Sequence, residues 1–286
     1  MSGYPTPDPR SPTVAPREGF VDVGTVRLHY VDWGHTDQPP VLFLHGGSAH
    51  ARWWDFVVNP LADRYRCNAL DLRGHGDSTW PAPPDYRLQT HAADVAAVID
   101  ALDLRAVAVV GHSFGGFVAM AFARAAAARL SALVIVDSRA RITARSARFL
   151  EALRKLPHPR YASLEEAAQR FRLLPSATNA APHVMAHVVR HGMVQSADGS
   201  WTLKFDRRAM ADTPAQDLSP ALAAIGCPIL AIRGEHSEIL SAAGLVEFQA
   251  ANPRATTTEV SGAHHHVMLD QPDALARVIG EFLATT

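Results

Sequence analysis

The chain has 286 residues, 48% hydrophobic and 19% charged, with 27 Lys or Arg against 28 Asp or Glu. The apolar fraction excludes a disordered chain, and a net charge of -1 excludes a uniformly basic nucleic-acid binder. Cys67 and Cys227 make neither a disulfide framework nor a metal-type spacing. No signal peptide is visible and no apolar run reaches the roughly 20 residues of a membrane span, so a soluble, cytoplasmic protein without a membrane partner is expected.

Residues 1–17 carry Pro5, Pro7, Pro9, Pro12 and Pro16 and read as a disordered tail. Order is expected from about Phe20, where two alternating runs, residues 20–23 and 26–31, flank Gly24-Thr25 as a hairpin. Five continuous apolar runs follow, at 41–44, 67–70, 107–110, 133–136 and 229–232, as parallel strands buried on both faces require. Between them lie helical patterns at 88–102 and 117–128, and residues 273–283 close the chain with another. The fold class is therefore α/β with a mostly parallel central sheet flanked by helices. Residues 139–213 break the rhythm with three helical windows, 143–155, 163–173 and 181–192. They predict a helical insertion that divides a core of residues 18–138 and 214–286.

Gly111-His112-Ser113-Phe114-Gly115-Gly116 stands between a predicted strand and an Ala-rich helix. A serine on a strained strand-to-helix turn is lifted clear of the sheet edge, and flanking glycines let the backbones approach closely. The helix that follows aims its N-terminal amides and positive dipole end at the same place.

On this motif, and on His45-Gly46-Gly47 and the run Asp71 to Ser78 after successive strands, the chain resembles the α/β-hydrolase fold family over residues 20–285. The resemblance implies a nucleophile at Ser113 and an oxyanion hole from the Gly47 and Phe114 amides. It places a general base in Gly262-Ala263-His264-His265, which leads to Asp270-Gln271-Pro272; the spacing selects His265, with His264 and His266 one residue away. The third member, an acid, is expected after the strand at 229–232. Where many members carry aspartate this sequence has Ser237, so Glu238 is preferred, Glu235 is an alternative, and Asp137, after the strand at 133–136, is the main competitor. His45, Gly46, Trp53 and Trp54 are candidate substrate-binding residues, although the indoles equally suit a buried anchoring role. His264-His265-His266 is not read as a metal site, because consecutive side chains diverge.

The implied activity is hydrolysis of a small-molecule carboxylic ester or lactone through an acyl-enzyme, with no cofactor and with the insertion as a cap. Hydrolysis of an amide or of a dienoate C–C bond, and perhydrolysis, use the same residues and stay open. A haloalkane dehalogenase or epoxide hydrolase of this fold would need aspartate at 113. A receptor-like binder with vestigial catalysis is the reading from another class. Oligomeric state is left open. Residues 139–208 hold 13 Lys or Arg and 5 Asp or Glu, a balance of +8, which suggests either solvated arginine heads over apolar stems or a cationic lid that favours anionic substrates.

Overall fold

The computed structural model describes residues 15–210 and 213–286. Residues 1–14 of the predicted tail thus lie outside the described residues, and its last residue, Arg17, opens the first strand. β1 (Arg17–Val23) and β2 (Val26–Trp33) form the expected hairpin, with Gly24 at φ 58 in the turn. β3 (Pro40–Leu44), α1 (Asp55–Val58), β4 (Arg66–Leu70), α2 (Leu88–Ala101), β5 (Val107–His112), α3 (Phe114–Ala126) and β6 (Leu130–Val136) follow.

The segment 139–213 contains β7 (Arg141–Ile142), α4 (Ala144–Arg154), α5 (Leu164–Arg170), α6 (Pro182–Gly192), β8 (Met193–Gln195) and β9 (Trp201–Leu203). The three helical windows are there, and α5 stops three residues short of its window. Thr143 and Ser163 cap α4 and α5 with their side-chain oxygens, and Pro182 opens α6 at the position where its missing N–H costs nothing. The β8–β9 hairpin departs from the all-helical expectation; its turn carries Asp198-Gly199, with Gly199 at φ 81. The chain then returns to the core through β10 (Gln216–Asp217), α7 (Ser219–Ala223), β11 (Ile229–Gly234), α8 (Ala242–Ala251), β12 (Ala255–Val260), α9 (Val267–Asp270) and α10 (Pro272–Leu283). Among the described residues, no helix is long and apolar enough to cross a membrane.

The main sheet has eight strands in the order β1-β2-β4-β3-β5-β6-β11-β12. β1, β2 and β4 pair antiparallel and every later pair is parallel. Side chains alternate between the two faces of the sheet. Leu42, Leu44, Val109, Leu133, Ile135, Ile229 and Ala231 join one core with α2 and α3, while Val41, Phe43, Val110, Val134, Val136 and Ile232 join another with α1 and α10. Both faces are covered, which is why the strands read as unbroken apolar runs. The C-terminal ends of β3, β5, β6 and β11 consequently meet at one edge.

Candidate functional site

At that edge β5 passes into α3 through Ser113, held at φ 51 and ψ -114, where a non-glycine residue is strained. The surroundings enforce this turn. A Cβ on Gly115 would stand 2.3 Å from the Leu44 carbonyl oxygen, and one on Gly111 would stand 2.4 Å from that of Gly115. The Ser113 amide donates to the Val136 carbonyl (3.0 Å), which ties the turn to β6.

His265 Nε2 lies 3.1 Å from Ser113 Oγ, and His265 Nδ1 lies 2.8 Å from Asp137 Oδ1. Asp137 is fully buried just past the end of β6, itself at φ 45. Its carboxylate also accepts the Gly234 amide on Oδ2 (2.8 Å) and the Ser237 hydroxyl on Oδ1 (2.6 Å). Ser237 Oγ in turn accepts the amides of Ile239 and Leu240, both at 3.1 Å. A carboxylate that takes three donors, one of them His265 Nδ1–H, orients the imidazole with its other nitrogen facing the serine.

Glu238, the acid preferred from the sequence, is not the carboxylate bonded to His265. Its residue is exposed and makes no bond to His265, whereas Asp137 occupies the place the preferred assignment gave to Glu238. Glu235 is spent elsewhere: Oε2 accepts both Ser261 Oγ and the Gly262 amide (2.7 Å each) and fixes the turn at Gly262 (φ 70). The Asp270 carboxylate accepts the His264 amide on Oδ2 and the Asn179 amide on Oδ1 (2.8 Å each), binding the His265 loop to the insertion. His264 points away and packs on His236, with ring centroids 5.3 Å apart.

Ser113 and His265 open into a cavity of about 370 Å³, together with Gly47 and Phe114. A Cβ on Gly47 would lie 3.9 Å from that of Phe114, so the two residues of the expected oxyanion hole are adjacent. The walls are apolar and come from both parts of the chain: Phe117 and Ile239 from the core, Phe149, Leu150, Leu174 and Phe205 from the insertion. Among the charged groups there, Arg139 donates through Nε to the Ile239 carbonyl (2.5 Å), Arg141 stands near Asp217, and Glu238 also lines the wall. Elsewhere in the insertion Arg160 pairs with Asp198 at the surface, and Arg208 pairs with the buried Asp206.

The four candidate substrate-binding residues do not line this cavity. His45 is buried and neutral; burial, helped by the neighbouring His75, lowers its pKa to about 3. Its Nδ1–H donates to the Gly46 carbonyl (2.7 Å) and its Nε2 accepts the Leu72 amide (3.0 Å), so it braces the loop that carries Gly47. Gly46 backs onto His112 and Ser113, where a Cβ would meet the His112 ring at 2.8 Å. Trp54 packs on Phe43 (ring centroids 5.0 Å apart) and Trp53 edges onto His266 (5.5 Å), both indoles turned into the core. Sequence reasoning missed His75, which lines the cavity between Phe114 and Phe205, and His112, whose Nε2–H donates to the His265 carbonyl (3.0 Å). His112 sits inside the serine motif, a signal that was available but unread.

A serine hydroxyl, an imidazole and a carboxylate bonded in series, beside two backbone amides, can deliver an alkoxide to a carbonyl and hold the resulting oxyanion. The family model for the alpha/beta hydrolase fold matches residues 39–272. The chain is 27% identical to 2-(acetamidomethylene)succinate hydrolase of Mesorhizobium japonicum, covering 92% of this chain and 94% of that protein. It is 29% identical to an esterase of Mycobacterium tuberculosis (88% and 85%) and 29% identical to haloalkane dehalogenase 2 of Mycobacterium bovis (96% and 97%). The crystal structure of an E-2-(acetamidomethylene)succinate hydrolase superposes with a TM-score of 0.83 at 25% identity, over 94% of this chain and all of that one. By fold, by site geometry and by these matches the chain belongs to the alpha/beta hydrolase fold family, and hydrolysis is the chemistry that membership supports.

Proposed function

We propose that the chain is a serine hydrolase that cleaves a small carboxylic ester or lactone through an acyl-enzyme. The observation that carries the reading is the hydrogen-bonded series Ser113–His265–Asp137, with the serine on a strained turn at the cavity floor. Ser113 Oγ attacks the carbonyl carbon as His265 Nε2 takes its proton, and the amides of Gly47 and Phe114 receive the charge on the carbonyl oxygen. His265 then returns that proton to the leaving alcohol. Water, deprotonated by the same nitrogen, releases the acid. Asp137 holds the imidazole tautomer and stabilises its cation. The insertion serves as a cap whose apolar side chains receive the acyl or alcohol group.

Dehalogenation is disfavoured despite the likeness to a dehalogenase, since displacement at a saturated carbon calls for a carboxylate nucleophile and the residue here is Ser113. A second reading, amide hydrolysis on a carboxylate-bearing substrate, draws support from the likeness to an enzyme named for a succinate derivative and from Arg139 and Arg141 in the cavity wall. The test compares the chain with its Ser113→Ala variant on p-nitrophenyl acetate and on a panel of acidic amides. Loss of turnover in the variant, with an unchanged melting temperature, is expected. Undiminished turnover would sink the assignment.

A further inference from the structure

Beside the hydrolytic series lies a cluster of imidazoles that the proposed chemistry does not use. His112, His265 and His266 are all buried, and one ring nitrogen of each lies within 4.8 Å of one from both others. Against the expectation that consecutive side chains diverge, His265 and His266 converge; His264 stands apart, and His112 arrives from the end of β5 to complete a set of three.

The protons on these rings are accounted for. His112 Nε2–H donates to the His265 carbonyl and His266 Nε2–H to the Pro175 carbonyl, both at 3.0 Å. That leaves a lone pair on Nδ1 of each, and both Nδ1 atoms are buried with no hydrogen-bond partner. A buried, unpaired acceptor is costly and calls for an explanation. The third ring carries its proton on Nδ1, towards Asp137, and its lone pair on Nε2.

Each imidazole has one ring nitrogen fixed by a carbonyl or a carboxylate, as the outer N–H of a metal-bound histidine is, and that leaves the other nitrogen to meet an ion. The other such cluster among the described residues, His29, Asp71 and Asp77, lacks that property, because Asp71 already accepts His29 Nδ1–H and the amides of Ala51 and Asp77. With zinc–nitrogen bonds of ~2.1 Å, tetrahedral ligands stand about 3.4 Å apart, so the rings need close by no more than about 1.4 Å.

We propose that His112, His265 and His266 form a capture site for a borderline divalent cation of the Zn2+ class, and that its occupation switches the hydrolase off. Of the three rings, His265 lines the cavity. The bound ion takes the Nε2 lone pair that receives the Ser113 proton, so metal and catalysis exclude one another. The binding half stands on geometry alone; the inhibitory half rests on the serine-hydrolase reading.

The experiment titrates chelator-treated protein with ZnCl2 at neutral pH, following heat by calorimetry and hydrolysis of p-nitrophenyl acetate in parallel. One Zn2+ per chain is expected, with inhibition tracking occupancy and reversed by EDTA. Ser113→Ala, inactive, is expected to bind Zn2+ as the unchanged chain does. His266→Gln, which keeps a donor for Pro175, and His112→Gln are each expected to raise the dissociation constant at least 10-fold, since even outer-shell changes at metal sites cost about 10–100-fold. Inhibition of each variant is normalised to its own metal-free rate, and thermal melts identify any variant that has not folded. Absence of binding, binding that survives both histidine changes, or full activity in the zinc-loaded protein overturns the proposal. Should the metal-free chain hydrolyse no ester or amide at all, the functional reading fails while calorimetry on the same samples still decides the site.

Discussion

Replacing Asp137 by asparagine tests the acid assignment with little change of shape. Oδ1 accepts two donors, Ser237 Oγ–H at 2.6 Å and His265 Nδ1–H at 2.8 Å, and Oδ2 accepts the Gly234 amide at 2.8 Å. An amide has only one acceptor end. If its oxygen keeps the Oδ1 position, its NH2 opposes the Gly234 N–H inside a buried site, at a cost of about 1–3 kcal/mol. If it turns over, the NH2 faces His265 and drives the imidazole to the tautomer with its proton on Nε2. That nitrogen then cannot accept the Ser113 proton. The equivalent change in a trypsin-type triad lowers kcat by about 10⁴, or ~5.4 kcal/mol of transition-state stabilisation. A fall in kcat of that order on p-nitrophenyl acetate is expected for Asp137→Asn, with secondary structure retained by circular dichroism. Glu238→Gln, at an exposed position, is expected to stay within about 0.5 kcal/mol, a roughly 2-fold change. The reasoning is refuted if Glu238→Gln removes activity while Asp137→Asn keeps more than a tenth of it.

Gly115→Ala is expected to destabilise by about 3 kcal/mol in urea unfolding and to reduce turnover as well, because the new methyl drives into the Leu44 and His45 carbonyls at 2.3 and 2.5 Å and displaces the loop bearing Gly47. Asp94→Ala strands the buried Arg73 guanidinium, which Asp94 grips at 2.5 and 2.6 Å; a loss of about 3–5 kcal/mol in the same assay is expected, and a loss under 1 kcal/mol would argue against burial of that pair. Acid lowers stability well above the carboxylate range. Burial takes the pKa of His45 to about 3 and those of His50 and His75 to about 4, below the unfolded value of 6.5. Groups depressed in the folded state contribute fully above pH 6.5 and lose that contribution as pH falls towards 4, by up to about 2 kcal/mol each between pH 7 and 5. His29 acts in the opposite sense: burial opposes its charge, but the Asp71 carboxylate outweighs burial and raises its pKa. Chemical denaturation at pH 7 and 5 reads the net loss, and equal stability at the two values would contradict the buried neutral assignments.

The layers of the fold were legible because burial on both faces of a parallel sheet leaves its mark on consecutive residues. Val41-Leu42-Phe43-Leu44 contributes alternately to the two cores, so the run looks uniformly apolar even though its side chains diverge. The β8–β9 hairpin was missed because each strand spans only three residues, too few to show a period, and Asp198-Gly199 alone carried the signal. The direction of the Trp53 and Trp54 indoles escapes the sequence pattern for a related reason. A one-turn 3-10 helix at Ala51–Trp54 decides which way they face, and a single turn leaves no pattern to measure. Cavity walls such as Phe149 and Phe205 come from distant parts of the chain and meet only by packing, which periodicity does not register.

Ser113 and His265 were legible from local motifs, whereas the acid was not, and the sheet register explains why. β6 and β11 are parallel neighbours with Val136 opposite Ile232, and the Asp137 amide donates to the Ile232 carbonyl at 2.7 Å. Two strand ends held in that register present the residues after them to the same imidazole, so a carboxylate on either can serve it. Spacing from the serine or from the histidine therefore does not choose between them. The deciding feature is the residue at the competing position. Ser237 stands where an aspartate was anticipated, yet its hydroxyl donates to the Asp137 carboxylate while its oxygen collects the Ile239 and Leu240 amides. An acid at 237 would set two carboxylates against each other in a buried site, and like charges at that range do not both ionise. A hydroxyl there removes the conflict and adds a donor to the acid that remains. Serine at 237 and aspartate at 137 thus form one physical unit, and reading the two positions jointly would have selected Asp137 where reading each alone did not.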